Sequence, residues 1–294
     1  MTATVFTSSA SAGRPAGGFT LIELAIVIFI ITLMVGFILV PLQSQIENRR
    51  FADTQRILDQ AREALIGYAA ANGYFPCPAD FAGGSSGAEV AHNIATGSCA
   101  ASVLGAGANG VYIGYLPAVT LGFTPTDANG YAVDAWGLTQ NRIRYAISTA
   151  TVNGVTLPFT RTSGMRNAQM SNILNCVPGA AVGVCALPVS GSAANGLLFV
   201  CNTAAGSSSA TGCAAGTIMT SNAIAVIWSV GANAATTGGT SADEAENAES
   251  LATADRVFVM HDKSGVTGSE FDDIVIWIST PILFSRLIAA GQLP

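Results

Sequence analysis

The sequence has 294 residues, of which half are hydrophobic and only 10% are charged, with a net charge of −6. Disordered chains combine low hydrophobicity with high charge, so this composition predicts a folded protein. It does not favour nucleic-acid binding, which needs several cations on one surface, because Lys263 is the only lysine.

The N-terminal region divides into a polar segment and an apolar run. Residues 1–18 are rich in Ser, Thr and Ala, and Arg14 is their only charged residue. Residues 19–42 carry a single charge, on Glu23. A helix of that length rises about 36 Å, so the run predicts a transmembrane segment.

The following segment, residues 43–72, has the pattern of an amphipathic helix. Its apolar positions recur at spacings of three and four towards the end, with charged residues between them, at Ile46, Ile57, Leu58, Ala61, Leu65 and Ala69. The pair Asn72–Gly73 favours a helix end there. We therefore predict one long helix over residues 19–72, with a transmembrane half (19–42) and an amphipathic half (43–72).

Residues 73–294 have the pattern of a separate globular domain rich in strands. Short apolar segments alternate with Gly, Ser, Asn and Pro clusters, as in β-structure. The predicted strands are Val111–Leu116, Ile143–Ile147, Leu197–Cys201, Ile224–Val230, Val257–Met260 and Ile274–Ile278. A helix followed by strands predicts an α+β fold in which an antiparallel sheet packs on the amphipathic half of the helix.

The segment "GFTLIELAIVI", which begins at Gly18, resembles the class III signal of type IV prepilins and type II secretion pseudopilins. The resemblance implies that a prepilin peptidase removes the leader, residues 1–18, by cutting between Gly18 and Phe19. It also implies that Phe19 becomes the N-methylated first residue. Glu23 would then be mature position five, whose carboxylate meets the N-terminal amine of a neighbouring subunit during assembly.

The same resemblance implies a pilin-like fold and a structural, non-enzymatic role. The expected protein is a minor subunit of a type IV pilus or related filament, anchored in the inner membrane by one helix with its head in the periplasm. The expected partners are the prepilin peptidase, other pilin or pseudopilin subunits, an inner-membrane assembly platform and membrane lipid. A type II pseudopilin, or an adhesin or ligand-binding head on a pilin stalk, remains an alternative.

Shorter stretches of the head also resemble larger pilin-like proteins. They are "GYFPCPAD", "DAWGLTQNRIRYAIS" and "AVIWSVGAN". In such proteins a D-x-W-G turn leads into a strand of the sheet. These segments therefore support a pilin-type sheet.

All six cysteines follow the apolar run, which favours disulfides in an oxidising compartment. The simplest of fifteen possible pairings joins neighbours, as Cys77–Cys99, Cys176–Cys185 and Cys201–Cys213. A zinc site is not favoured, because no C-x-x-C is present and the two histidines are remote in sequence, so that it would need a non-local assembly.

The acidic residues concentrate near the C-terminus, where the segment between Asp243 and Asp273 holds nine of the eighteen. Calcium prefers six to eight oxygen ligands, and some pseudopilins hold calcium in a C-terminal loop. The candidate ligands are Asp243, Glu244, Glu246 and Asn247. The alternative is a solvated acidic loop or a short helix.

No enzymatic site is predicted. The match of "GAGANG" to a dinucleotide motif is followed by a β-rich segment that ends at Pro117, where a nucleotide-binding unit needs a helix. The G-x-S-x-G match in "GGSSG" has neither a strong strand before it nor a helix after it. No nucleophile and base can be paired from the sequence.

Overall fold

The structure is a computed structural model of the chain. It describes residues 18, 20–82, 86–100, 110–152, 155–168, 197–208, 212–234, 241–248 and 254–293, and the side chains of residues 37–43 are not part of that description. By its contacts the chain forms two compact units, residues 1–48 and residues 49–294.

The helices are α1 (Leu21–Asn72), α2 (Ala118–Leu121), α3 (Gly164–Asn167), α4 (Ala242–Asn247) and α5 (Thr280–Ala289), with a 3-10 turn at Thr139–Asn141. The strands are β1 (His92–Asn93), β2 (Ser98–Cys99), β3 (Val111–Tyr115), β4 (Arg144–Ser148), β5 (Thr151–Val152), β6 (Val155–Thr156), β7 (Leu198–Cys201), β8 (Ile218–Ser229), β9 (Val257–Val259) and β10 (Ile274–Ser279). Each of the six predicted strands overlaps one of these, so those predictions are confirmed.

The predicted α+β fold with a transmembrane helix half needs correction. α1 is 52 residues long, but among the helices that the described residues form, none is long and apolar enough to cross a membrane. The prediction of a transmembrane half at residues 19–42 is therefore wrong.

The second unit is built around one mixed sheet. Its strand order is β3-β4-β8-β7-β9, and β10 also pairs with β8. All of these pairs are antiparallel except β7 with β9, which run parallel. The prediction of a wholly antiparallel sheet is wrong at this pair. Between β7 and β9 the chain passes through β8 and α4, and this long connection allows β9 to run parallel to β7. The strand propensity of a segment carries no information about the direction in which the strand runs.

Both faces of the sheet are buried, because neighbouring residues of each strand enter opposite clusters. On β8, Ala225 and Ile227 belong to the cluster that contains α1, whereas Val226 and Trp228 belong to the cluster on the other face. Burial on two faces explains why the strand appears in the sequence as a continuous apolar run rather than as an alternation.

Residues 49–72 of α1 pack against the first of these faces. Leu58, Ala61, Leu65 and Ala69 are fully buried in the same cluster as the sheet residues, at the spacing that places them on one side of a helix. Each buried leucine contributes about 1.5–3 kcal/mol. The predicted amphipathic packing is confirmed for these positions.

Two disulfides close loops of the head. Cys77–Cys99 and Cys201–Cys213 are both formed, as the sequence predicted. The third predicted pair, Cys176–Cys185, lies outside the described residues.

We expect that denatured but unreduced protein contains no free thiol, since the predicted arrangement pairs all six cysteines. The measurement is alkylation under denaturing conditions followed by intact-mass analysis, with fully reduced protein as the control. Labelling of two cysteines would contradict the third pair, and labelling of four or more would contradict an oxidising compartment.

Candidate functional site

The predicted processing site lies shortly before the start of α1 at Leu21. Gly18 is exposed, and Phe19 lies outside the described residues. Thr20 precedes the helix and accepts a hydrogen bond at Oγ1 from the backbone of Glu23 (3.3 Å). In return the Glu23 carboxylate accepts from the Thr20 backbone N–H (3.4 Å). This reciprocal pair is a capping box, which the T-x-x-E pattern could have predicted.

After the cap, α1 presents an apolar surface on all sides. The large hydrophobic side chains between residues 21 and 35 are 43–87% exposed: Leu21, Ile22, Leu24, Ile26, Val27, Ile28, Phe29, Ile30, Ile31, Leu33, Met34 and Val35. An exposed apolar surface of this extent marks an interaction site. Glu23 lies at its beginning and is itself exposed.

The predicted calcium ligands lie on α4 but point to different partners. Asp243 accepts hydrogen bonds from Thr203 and Ala204 and contacts His261 at 3.3 Å. The side chain of Asn247 bonds both the N–H and the C=O of Val259, at 2.8 Å each. Asn247 thereby satisfies both backbone groups of Val259, the last residue of β9, which is a structural role.

Glu244 belongs to a different carboxylate cluster, with Asp272 and Asp273. One oxygen of each of these three residues lies within 4.8 Å of the others. The Asp272 Oδ1 atom is buried and has no hydrogen-bond partner among the described residues, while Oδ2 accepts from the backbone of Ala232. The predicted set of four ligands is therefore not brought together around one point, and calcium binding stays a prediction.

Burial changes the protonation of these acidic groups. Burial raises the pKa of Asp273 to about 8. A hydrogen bond from Asn247 lowers this pKa, but its effect is smaller than that of burial. Burial also raises the pKa of Glu246 to about 7, and the negative charges of Asp255 and Asp243 add to this effect. Asp273 therefore holds a proton at neutral pH.

We expect that Asp273→Asn flattens the pH dependence of stability. The folded state binds this proton up to about pH 8 and the unfolded state only up to about pH 4, so the free energy of unfolding of the parent falls as pH rises between these values. The slope is at most about 1.4 kcal/mol per pH unit for one group. Asparagine is neutral throughout and still accepts from Asn247.

The measurement is urea unfolding of both proteins from pH 5 to pH 9. Asp262→Asn, which changes an exposed carboxylate, serves as the control and should keep the parental slope. An Asp273→Asn protein with the same slope as the parent would contradict the assignment of the buried proton.

A second buried carboxylate organises the D-x-W-G turn. Asp134 accepts from the backbone of Trp136 at 2.8 Å through Oδ1, and from Asn141 (3.1 Å) and Ser229 through Oδ2. The backbone N–H of Ala135 donates to Thr54 on α1 at 3.1 Å. The predicted turn before a strand is confirmed, because it leads into β4. The turn thereby joins α1, through Thr54, to the sheet, through Ser229 on β8.

Comparison with known proteins gives no relative: no family model matches the chain, and no curated protein or solved structure is significantly similar to it.

Proposed function

We propose that the chain is a structural subunit of a type IV pilus or related filament, processed by a prepilin peptidase between Gly18 and Phe19. In this proposal, subunits assemble through the exposed apolar part of α1, and residues 49–294 form the head. Other pilin-like subunits and an assembly platform are the partners. The observation that carries the proposal is the exposed apolar surface of residues 21–35, which overlaps the signal-like segment that begins at Gly18.

The exposed surface supports assembly because the described residues of its own unit leave it uncovered. Apolar area removed from water contributes about 25 cal/mol per Å². The side chains of residues 21–35 are exposed around the whole circumference of the helix, so covering them requires several neighbours at once. A bundle of equivalent helices provides such neighbours on every side.

The disulfides support a location outside the cytoplasm. The head contains the disulfides Cys77–Cys99 and Cys201–Cys213. Disulfides persist in an oxidising compartment and are rare in proteins of a reducing one. We therefore place the head in the periplasm or at the cell surface, where a filament of this class would display it.

We expect that Ile30→Asp removes the chain from the filament fraction. Ile30 is 49% exposed in the single chain, so a carboxylate there remains hydrated until neighbouring helices cover it. A buried unpaired charge costs several kcal/mol, which corresponds to a decrease of about tenfold or more in the share of the chain found in filaments. The measurement is the share of the chain in sheared filaments relative to the cell-associated pool.

The matched control is Gln140→Asp, which places the same charge on an exposed turn of the head and should leave incorporation unchanged. Circular dichroism of the purified chain reports whether the head still folds. Equal recovery of Ile30→Asp and the parent in filaments would contradict assembly through this surface.

A further inference from the structure

A cluster of metal-ligating groups lies around the disulfide Cys77–Cys99 in the head, and it shares no residue with the proposed assembly surface. The Cys77 Sγ atom, a carboxylate oxygen of Glu89 and a ring nitrogen of His92 all lie within 4.8 Å of one another. The pairing of β1 with β2 places Cys99 directly opposite His92. Three groups that bind metals therefore meet in one place, and Cys99 is bonded to one of them through the disulfide. The four residues are spread over 23 positions of the sequence.

The imidazole of His92 is held in a fixed orientation. Its Nε2 lies 2.7 Å from the carbonyl oxygen of Thr160, which can only accept, so Nε2 carries a hydrogen and donates. The Nδ1 atom lies 3.1 Å from Glu89 Oε2. Only 4% of the His92 side chain is exposed. The structure thus aims Nδ1 at the carboxylate and at the disulfide.

The carboxylate of Glu89 links the imidazole to the cysteine backbone. Its Oε2 lies 3.1 Å from His92 Nδ1 and also accepts a hydrogen bond from the backbone N–H of Cys77 at 3.1 Å. Imidazole nitrogen, carboxylate oxygen and sulfur are therefore held close enough to bind one metal ion, provided that the sulfur is available as a ligand.

The available ligands suit zinc. Zinc takes four ligands from thiolate sulfur, imidazole nitrogen and carboxylate oxygen in a tetrahedral arrangement. A metal-bound histidine usually donates its other N–H to a carbonyl or carboxylate, as His92 does to Thr160. What the disulfide form lacks is thiolate, because both sulfurs are bonded to each other.

We propose that reduction of Cys77–Cys99 by a dithiol converts this cluster into a Zn²⁺ site with Cys77, Cys99, Glu89 and His92 as its ligands. The S–S bond breaks and takes up two electrons and two protons from the dithiol, which becomes a disulfide. Zn²⁺ then replaces the two thiol protons, which pass to solvent, and accepts the lone pair of His92 Nδ1. The reductant reaches the bond from the side of Cys99, which is partly exposed, whereas Cys77 is fully buried.

The test uses the full chain with the other four cysteines replaced by serine. The protein is reduced with dithiothreitol, freed of it under anaerobic conditions, and titrated with Co²⁺ and then Zn²⁺. We expect one metal per chain, with the intense sulfur-to-cobalt absorption and visible bands of tetrahedral Co²⁺, both lost when Zn²⁺ displaces it. The unreduced chain should show none of these bands.

His92→Ala should weaken Zn²⁺ binding by about tenfold or more, because the loss of even an outer-shell partner typically lowers metal affinity by about 10–100-fold. The affinity is measured by competition with a chromophoric chelator. The matched control is the chain that keeps only Cys201 and Cys213, which pack in an apolar cluster with Phe199 and Val257. That chain should bind metal no more tightly than a chain without cysteines.

Three results would overturn the proposal. The first is equal metal affinity in the chain that keeps only Cys77 and Cys99 and in the chain that keeps only Cys201 and Cys213. The second is unchanged metal affinity in His92→Ala. The third is a reduced chain that has lost its circular dichroism signal and does not regain it when Zn²⁺ is added. Circular dichroism before and after metal addition separates loss of folding from loss of ligands.

Discussion

Glu23→Ala is expected to lower the recovery of the chain in sheared filaments by about tenfold or more, with the head still folded. In the proposed assembly the carboxylate meets the amine of Phe19 from a neighbouring subunit between apolar helices. Removing one partner of a buried pair costs about 3–5 kcal/mol. The measurement compares filament and cell-associated fractions of the variant and the parent.

The capping box gives Glu23 a second role that must be separated from the first. Its carboxylate accepts from the backbone of Thr20 at the start of α1, and loss of a helix cap costs about 0.5–2 kcal/mol. Glu23→Gln keeps an oxygen for this cap but carries no charge. We therefore expect Glu23→Gln to lose incorporation nearly as severely as Glu23→Ala.

The two variants distinguish charge pairing from helix capping. If Glu23→Gln incorporates like the parent while Glu23→Ala fails, the role of Glu23 is helix capping rather than charge pairing. Normal incorporation of Glu23→Ala would show that assembly needs neither the charge nor the cap. Glu23→Asp should recover part of the loss, since it keeps the charge on a shorter side chain.

The second large effect concerns processing: Gly18→Trp should leave the chain as an uncut precursor. A bulky side chain beside the scissile bond obstructs entry into the peptidase site. Among the described residues, no heavy atom lies within 4 Å of a Cβ added at Gly18, so a side chain can begin there without a clash. The expected loss of cleavage is therefore an effect on recognition and not on folding.

Gly36→Trp is the matched control for this experiment. Gly36 also lies in the first unit, and no heavy atom that the structure describes is within 4 Å of an added Cβ there. It therefore receives the same bulk away from the scissile bond. Immunoblotting for precursor and mature chain should show normal cleavage of Gly36→Trp. Cleavage of Gly18→Trp at the parental rate would contradict the processing proposal.

Local patterns in the sequence predicted the elements of the head well. The strands over Ile224–Val230 and Ile274–Ile278 stand out because β-branched and aromatic residues fill both faces of a sheet that is buried on two sides. The stripe of Leu58, Ala61 and Leu65 follows helical spacing and is buried as expected. Such features depend on neighbours in the chain, and the sequence contains that information.

Features that depend on distant pairing could not be predicted in this way. The parallel pairing of β7 with β9 joins segments more than fifty residues apart. The cluster of Cys77, Glu89 and His92 arises because β1 and β2 fold back beside the residues that follow α1. No periodicity in the sequence specifies either contact.

The acidic segment contains a local signal that distinguishes a short helix from a metal-binding loop. Ser241 accepts a hydrogen bond from the backbone of Glu244 at 3.2 Å and starts the short helix α4. The S-x-x-E pattern is a capping signature, so it favours the helix. Asp243 and Asn247 lie four residues apart on this helix, but Asp243 accepts a hydrogen bond from Thr203 and Asn247 donates to Val259. These partners hold the two side chains apart from a common ligand point.

The mass of the chain purified from its native host tests the central proposal most directly. We expect a chain that begins at Phe19, carries one methyl group on its N-terminus and retains its disulfides. Intact-mass analysis combined with N-terminal peptide sequencing resolves each of these features. A chain that begins at Met1, or at a residue after Leu42, would contradict the proposal that this protein is a processed filament subunit.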